Sequence, residues 1–367
     1  DPCAGKYFLH RFYDFQPDLN FDNPEVRTEI RRILGFWLEL GVAGFRADAL
    51  PFIIESKTPG KKPLLHFEYL DEMRRFLQWR SGSAILLGEA NVLPPAHLKY
   101  FGEYENGIHL MFNFYVNQHL FYALASAEVG PLIEALEATK KLPSTAQWAQ
   151  FLRNHDELDI DRLPEEQRNR VFSRFGPEKE MQLYHRGIRR RLAPMLGSTG
   201  HIEFAYSVLF SLPGTPVLRY GDEIGMGDNL TLKERDAVRT PMHWTNERNA
   251  GFSTATKLVH PIIDAGPYSH EKVNVEQQRR DHNSLLNWTS RMIRLRKECP
   301  EIGWGDWKIL NTKSPSVLAM RYSWQGNSLV LLHNFSDKPQ EARIRPGADG
   351  RDVLVNLLAN DESAAKP

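Results

Sequence analysis

Three acidic residues stand at the ends of short apolar runs that have the composition of β-strands. Asp48 ends GFRAD, Glu89 ends ILLGE and Asp156 ends FLRNHD. A single carboxylate in such a position is often the N-cap of the helix that follows. Three in succession, two of them near an Arg or a His, instead indicate a site where carboxylates carry out chemistry. Paired carboxylates cleave glycosidic bonds with retention when one is a nucleophile and the other a general acid and base.

Neighbouring residues suggest a different role for each carboxylate. Arg46 lies two residues before Asp48, and side chains at i and i+2 of a strand point to the same face. A fixed cation there would keep Asp48 ionised, as a nucleophile requires. Glu89 follows an apolar run without an adjacent cation, so we expect its pKa to be raised, as an acid/base requires. His155 and Asp156 offer hydrogen bonds to sugar hydroxyls, and Asp156 is suited to stabilise an oxocarbenium-like transition state.

Alternating strand-like and helical segments are expected to position these residues. An amphipathic helix is predicted over 24–40, with Asn23 as N-cap and Pro24 at the first position. The pattern predicts strands at 44–49, 84–89, 108–113, 149–154 and 216–220, and helices at 67–79 and near 115–126, 164–175, 199–211 and 283–298. This alternation fits either a doubly wound sheet or a (β/α)₈ barrel. Reactive residues at successive strand ends favour the TIM barrel, where such ends converge.

Two further segments differ in composition and pattern from the βα alternation. The segment 222–280 is rich in Gly, Pro and Asn and has no convincing element, so we interpret it as an active-site wall. After about Gly303 the runs SVLAMRYSW, SLVLLHNF and EARIRP predict a small antiparallel β domain.

The composition argues against nucleic-acid and membrane partners. The 367 residues include 46 basic and 46 acidic side chains, so no net basic field is present. No apolar run has the length of a bilayer span, and no signal peptide is visible. Cys3 and Cys299 match no metal-ligand spacing, and we expect two unpaired thiols in a cytoplasmic protein. No feature indicates an organic cofactor.

The carboxylate segments resemble a known family. GFRADA, LLGEAN and FLRNHD are similar, in order and spacing, to three of the four short regions that mark glycoside hydrolase family 13, the α-amylase family. QPDLN and VLRYGDEIGM resemble further regions at the fourth and eighth barrel strands. The resemblance implies that Asp48 is the nucleophile, Glu89 the general acid/base and Asp156 the transition-state stabiliser. It places Arg46 and His155 against the substrate.

The same resemblance implies three parts of the chain. Residues 1–22 would end an inserted domain, 23–300 would form the C-terminal part of the (β/α)₈ barrel with strands four to eight, and 301–367 would form a β-sandwich domain that looks truncated. The family's first region, an Asp-x-x-x-Asn-His run, has no match here. We therefore expect the chain to be the C-terminal portion of a longer polypeptide, and activity of this portion alone is in question.

Longer matches narrow the expected activity. HRFYDFQPDLNFDNPEV, GIRRRLAPML, VRTPMHW and RNAGFS resemble trehalose synthases, which interconvert maltose and trehalose. RTPM and NAGFS also occur in α-glucosidases and sucrose isomerases, so a hydrolytic α-glucosidase or an α-amylase acting on malto-oligosaccharides is the alternative. A non-catalytic interaction subunit is a third reading, but such proteins typically lose a carboxylate of the triad. Arg239 resembles a substrate-clamping arginine, with a surface salt bridge as its alternative.

A structural Ca²⁺ is also implied by the resemblance. Asp18, Glu55 and the backbone carbonyls of Phe52 and Ile53 match the positions that supply its oxygen ligands. The alternative is that both acids are solvated. The expected partner is a small α-glucoside, and a homo-oligomer is left open.

Overall fold

The computed structural model describes residues 3–57, 63–344 and 355–358. The chain divides into two compact units. The first comprises Asp1–Phe112 with Lys141–Trp148, and the second comprises Asn113–Lys140 with Ala149–Pro367.

The first unit alternates helices with parallel strands. Its elements are α1 (Pro24–Glu39), β1 (Gly44–Ala47), α2 (Leu50–Ile53), α3 (Glu68–Arg80), β2 (Ile85–Gly88), α4 (Pro94–Phe101) and β3 (Leu110–Phe112). The helix α1 begins where predicted, because the Asn23 side chain accepts a hydrogen bond from the Glu25 N–H at 2.9 Å and Pro24 occupies the first turn. The three strands and the helices α1 and α3 confirm the predicted βα alternation, whereas α2 and α4 were not predicted.

Parallel pairing sets the register of the strands in this unit. In β1 and β2, Arg46 is paired with Leu87, and Ala47 with Gly88. β2 in turn pairs with β3 through Gly88 and Met111. The core beneath them includes fully buried side chains of α2 and α3, among them Leu50 and Leu70. The strand register and the packing of this core together fix the positions of the residues that follow β1 and β2.

The second unit contains the remaining elements, and the part of β4 that belongs to it is residues 149–151. They are α5 (Phe114–Ser126), α6 (Gly130–Ala138), β4 (Gln147–Phe151), β5 (Leu158–Asp159), α7 (Glu165–Phe175), β6 (Gln182–Leu183), β7 (Gly187–Ile188), α8 (Leu192–Leu196), α9 (Thr199–Ser211), β8 (Thr215–Val217), α10 (Val275–Arg280), α11 (Leu285–Glu298), α12 (Pro300–Trp304), β9 (Asp306–Ile309), β10 (Val317–Trp324) and β11 (Asn327–Asn334). Short 3₁₀ turns cover Lys179–Met181, Asp222–Ile224, Glu234–Val238 and Arg248–Gly251.

Both parallel and antiparallel strands occur in this unit. β4 pairs in parallel with β8 from Ala149 opposite Thr215 to Phe151 opposite Val217. The strands β9, β10 and β11 form an antiparallel sheet with β10 in the centre, which confirms the predicted C-terminal β region. β5, β6 and β7 form a second antiparallel sheet of two-residue strands, which the sequence analysis did not predict.

Some element predictions need correction. The third strand predicted after β11, EARIRP, is absent over 341–344, and its last two residues lie outside the described residues. The segment 222–280 is not devoid of structure, since it contains α10 and three 3₁₀ turns. Cys299 is a buried free thiol. Among the described residues, no helix combines the length and apolar character needed to span a bilayer.

Candidate active site

Asp48 directly follows β1, and Glu89 directly follows the neighbouring parallel strand β2. The Glu89 N–H donates to the Ala47 carbonyl at 3.0 Å, and the Glu89 carbonyl accepts from the Leu50 N–H at 2.9 Å. These bonds continue the β1–β2 ladder past the strand ends. The two carboxylates are therefore held side by side by backbone geometry.

One guanidinium bridges the two carboxylates. Arg46 Nη2 lies 2.8 Å from Asp48 Oδ1, and it also contacts Glu89 Oε2. Because a single nitrogen contacts both groups, the two carboxylates lie close together, as do the paired carboxylates of retaining glycosidases, which are about 5–5.5 Å apart. The Asp48 side chain is 70% exposed, whereas that of Glu89 is 16% exposed. Asp48, which the sequence analysis predicts to be the nucleophile, is thus the more exposed of the two carboxylates.

The contact between Arg46 and Glu89 corrects one step of the sequence argument. We expected Glu89 to have no cation beside it, because none is close in sequence. The parallel register pairs Arg46 with Leu87, two residues before Glu89, so that the guanidinium reaches both carboxylates. An arginine stays charged in proteins, so this cation is permanent. The difference in pKa that we expected between the two carboxylates therefore cannot result from a cation beside only one of them.

Buried arginines hold the backbone around Asp156 in the second unit. Arg153 Nη2 donates to the Asp156 carbonyl at 2.7 Å, and Arg219 Nη1 donates to the Asn154 carbonyl at 2.7 Å. The Asp156 N–H is bound by Asn154 Oδ1 at 3.0 Å. Burial lowers the pKa of Arg153 and that of Arg219 to about 10. Both guanidiniums remain cationic at neutral pH, and they fix the turn that carries Asp156.

Two arginines from the predicted wall segment bind the Asp156 carboxylate. Arg239 donates to Asp156 Oδ1 and, through Nε, to the His155 carbonyl at 2.8 Å. Arg235 Nη1 lies 3.2 Å from Asp156 Oδ2. His155 Nε2 lies 3.7 Å from Asp156 Oδ1. His155, Asp156 and Arg239, all predicted from sequence, therefore lie together within this unit.

Arg235 and Glu157 extend this cluster and were not predicted. Arg235 Nε donates to Glu157 Oε2 at 2.7 Å, and Nη2 donates to Oε1 at 3.1 Å. Glu157 is only 3% exposed, and Arg186 Nη2 lies 3.5 Å from its Oε1. Although burial alone would lower the pKa of Arg235, the bonds to Glu157 raise it overall. The available sequence signal was the second acid directly after Asp156, since a buried carboxylate requires a cation.

The residues predicted to bind calcium do not fit a metal ion in this arrangement. Lys57 Nζ donates to Asp18 Oδ2 at 3.2 Å and to the Phe52 carbonyl at 2.8 Å. Glu55 forms an ion pair with Arg11. Asp18 and Glu55 therefore each have a cationic partner and are not merely solvated. Over 3–57, 63–344 and 355–358, no three His, Cys, Asp or Glu side chains are grouped to hold a metal.

Comparison with known proteins identifies the family to which the chain belongs. The family model described as "Alpha amylase, catalytic domain" matches residues 1–305. The chain therefore belongs to the alpha-amylase family, glycoside hydrolase family 13.

Several curated relatives are trehalose synthases by name. The chain is 41% identical to "Trehalose synthase" of Pimelobacter sp. (strain R48), covering 94% of this chain and 63% of that protein. It is 40% identical to "Trehalose synthase" of Thermus thermophilus, covering 93% and 37%. It is 41% identical to "Trehalose synthase/amylase TreS" of Mycolicibacterium smegmatis (strain ATCC 700084 / mc(2)155), covering 94% and 60%. The chain thus spans less than two thirds of the length of these relatives.

Solved structures show the same fold. Isomaltulose synthase from Erwinia rhapontici NX5 matches with a TM-score of 0.68 at 22% identity, covering 92% of this chain and 65% of that one. The alpha-amylase from H. orenii matches with a TM-score of 0.65 at 24% identity, covering 88% and 57%. At these identities the likeness concerns the fold alone, and it confirms the predicted α/β fold class.

Proposed function

We propose that this chain carries the catalytic carboxylates of a retaining enzyme that interconverts maltose and trehalose by moving one glucosyl group. The observation that carries the proposal is the bridge formed by Arg46 between Asp48 and Glu89. It supports a nucleophile and a proton donor that lie close together, as double displacement requires. The 39–41% identity to proteins named trehalose synthases supports the choice of substrate.

In the first step, an oxygen of Asp48 attacks the anomeric carbon of the bound disaccharide. The bond from this carbon to the glycosidic oxygen breaks, and Glu89 transfers its proton to that oxygen. The products are a glucosyl ester on Asp48 and a free glucose. Arg46 stabilises the carboxylate form of Asp48 before attack, and it stabilises the Glu89 carboxylate that remains after proton transfer.

In the second step, the released glucose becomes the acceptor. Glu89 takes the proton of a different glucose hydroxyl, the oxygen attacks the anomeric carbon, and Asp48 leaves as a carboxylate. Two inversions restore the original configuration. Attack by the anomeric hydroxyl gives trehalose, whereas attack by the 4-hydroxyl regenerates maltose.

We assign Asp156 to stabilisation of the positively charged transition state, as the family resemblance implies. The support within its own unit is the pair Arg235 and Arg239, which fix both carboxylate oxygens. The wall segment that carries these arginines is itself tied down: Tyr220 Oη donates to the Thr240 carbonyl at 2.9 Å.

Hydrolysis is the second candidate, and the names of two relatives favour it. One relative is named trehalose synthase/amylase, and "Alpha-amylase 3" of Dictyoglomus thermophilum (strain ATCC 35947 / DSM 3960 / H-6-12) is 27% identical. In hydrolysis, water replaces glucose in the second step, with Glu89 as the same base.

The test is incubation of the purified chain with maltose, followed by chromatographic separation of the products. Trehalose as main product with a little glucose supports the isomerase, and glucose alone moves the assignment to a hydrolase. The variant Asp48→Asn should lose both reactions by at least about 10³-fold, because the nucleophile is removed. Product formation by Asp48→Asn at more than a few per cent of the original rate would reject the assigned nucleophile. Absence of any product from the unaltered chain would reject the proposed activity for this chain.

A further inference from the structure

Lys57 lies among the residues that were predicted to bind calcium. We propose that its ammonium group is the resident cation of this part of the first unit, so that the chain needs no divalent ion there. The inference concerns a different part of the molecule from the catalytic carboxylates, and it does not depend on the reaction they perform.

The Lys57 side chain is built into the fold. It is 7% exposed, and its Nζ donates to the Phe52 carbonyl at 2.8 Å and to Asp18 Oδ2 at 3.2 Å. The backbone is also anchored, because the Lys57 N–H donates to Asp22 Oδ2 at 3.0 Å. A lysine on the surface would keep its ammonium in water, whereas this one exchanges water for two protein oxygens.

The second acid of the predicted calcium set is paired as well. Glu55 contacts the guanidinium of Arg11, whose central carbon lies 4.4 Å from the centre of the Phe52 ring. The backbone N–H of Arg11 donates to Asp18 Oδ1 at 3.3 Å. Each of the two acids therefore has its own side-chain cation, and the segment around Arg11 is tied to both.

These contacts oppose a divalent ion in the same place. Calcium takes six to eight oxygens at about 2.3–2.6 Å. Here one carbonyl and one carboxylate oxygen already bind the Lys57 ammonium at hydrogen-bond distances. A calcium ion on these oxygens would have to displace the ammonium and leave it mostly buried without a partner, which is costly. The arrangement is that of a site whose charge is already neutralised by the chain itself.

The first experiment needs no variant. We would measure the calcium content of the purified chain by elemental mass spectrometry, and its Tm with excess EDTA and with millimolar CaCl₂. The proposal predicts less than about 0.1 calcium per chain and a Tm that differs by less than about 1 °C between the two conditions, since a ligand that does not bind the folded state cannot stabilise it. About one calcium per chain together with a lower Tm in EDTA would overturn it.

The second experiment removes the ammonium. Lys57→Met keeps the aliphatic stem but leaves Asp18 without its cation, and we expect a Tm lower by about 5 °C. The matched control is Lys99→Met on α4 of the same unit, where the lysine is exposed, and its Tm should change by less than about 1 °C. Equal Tm values for the two variants would contradict the role of Lys57. These readouts involve no turnover, so an inactive chain would not affect them.

Discussion

Replacement of Arg235 by glutamine should reveal how strongly the wall segment is tied to Asp156. The guanidinium makes two hydrogen bonds to Glu157, lies 3.2 Å from Asp156 and is 5.6 Å from the centre of the Tyr184 ring. A glutamine side chain at this position could replace at most one of these bonds. The change therefore removes the main cation of a carboxylate that is 3% exposed.

The size of the effect follows from what remains beside Glu157. Loss of one partner of a buried ion pair costs about 3–5 kcal/mol when the other is left alone. Arg186, at 3.5 Å, still faces Glu157, but its side chain is much more exposed. Hydrogen bonds to charged groups contribute about 1.5–3 kcal/mol. We therefore expect Arg235→Gln to lower the free energy of unfolding by about 2–3 kcal/mol.

Urea unfolding of Arg235→Gln, Glu157→Gln and the double variant measures this value. The double variant should be at most about 1 kcal/mol less stable than the less stable of the two single variants, because both changes break the same pair. Arg280→Gln is the control, since its pair with Glu276 lies exposed on one helix and should contribute less than about 0.5 kcal/mol. Additive losses in the double variant, or a loss at Arg235 no larger than at Arg280, would refute the reasoning.

Two further predictions concern stability elsewhere in the chain. Burial lowers the pKa of His333 from its usual 6.5 to about 4, so between these values the unfolded chain binds a proton that the folded chain does not. The free energy of unfolding should therefore fall as the pH drops from about 6.5 to about 4. This pH dependence should be weaker in His333→Gln and unchanged in His282→Gln, a control at an exposed histidine. Equal pH dependence in the two variants would exclude His333 as its source. A Cβ at Gly107 would lie 2.0 Å from a backbone carbonyl oxygen, whereas one at Gly35 would meet a single ring atom at 3.5 Å. Urea titration should show a loss of about 1–3 kcal/mol for Gly107→Ala and a gain of about 0.5–1 kcal/mol for Gly35→Ala, and similar values for both would contradict the packing.

Helices with strong terminal signals could be located from the sequence. The prediction for α1 covers 24–40 and the helix spans Pro24–Glu39, because Asn23 caps it and the apolar positions recur at helical spacing. α6 was not predicted, and the residue before it, Val129, offers no side-chain cap. The strands β5, β6 and β7 are two residues long, which is too short to show an alternating pattern.

The site residues were predictable as positions but not as pairs. Asp48, Glu89 and Asp156 stand out because three successive strand-like runs each end in an acid, which helix capping explains for one residue but not for all three. The partner of Glu89 depends on the register between two parallel strands, and no local pattern shows that Arg46 will reach it. The partner of Asp18 is Lys57, far away along the chain. Such pairings are determined by tertiary packing, and sequence spacing alone cannot give them.

The central claim is that the reaction passes through a glucosyl ester on Asp48. The direct test is incubation of the chain with 5-fluoro-α-D-glucopyranosyl fluoride, which slows release of the ester, followed by digestion and peptide mass spectrometry. Our account predicts one added 5-fluoroglucosyl group on the peptide that contains Asp48, and none in Asp48→Asn. A labelled peptide lacking Asp48, or fluoride release without any labelled peptide, would contradict the account.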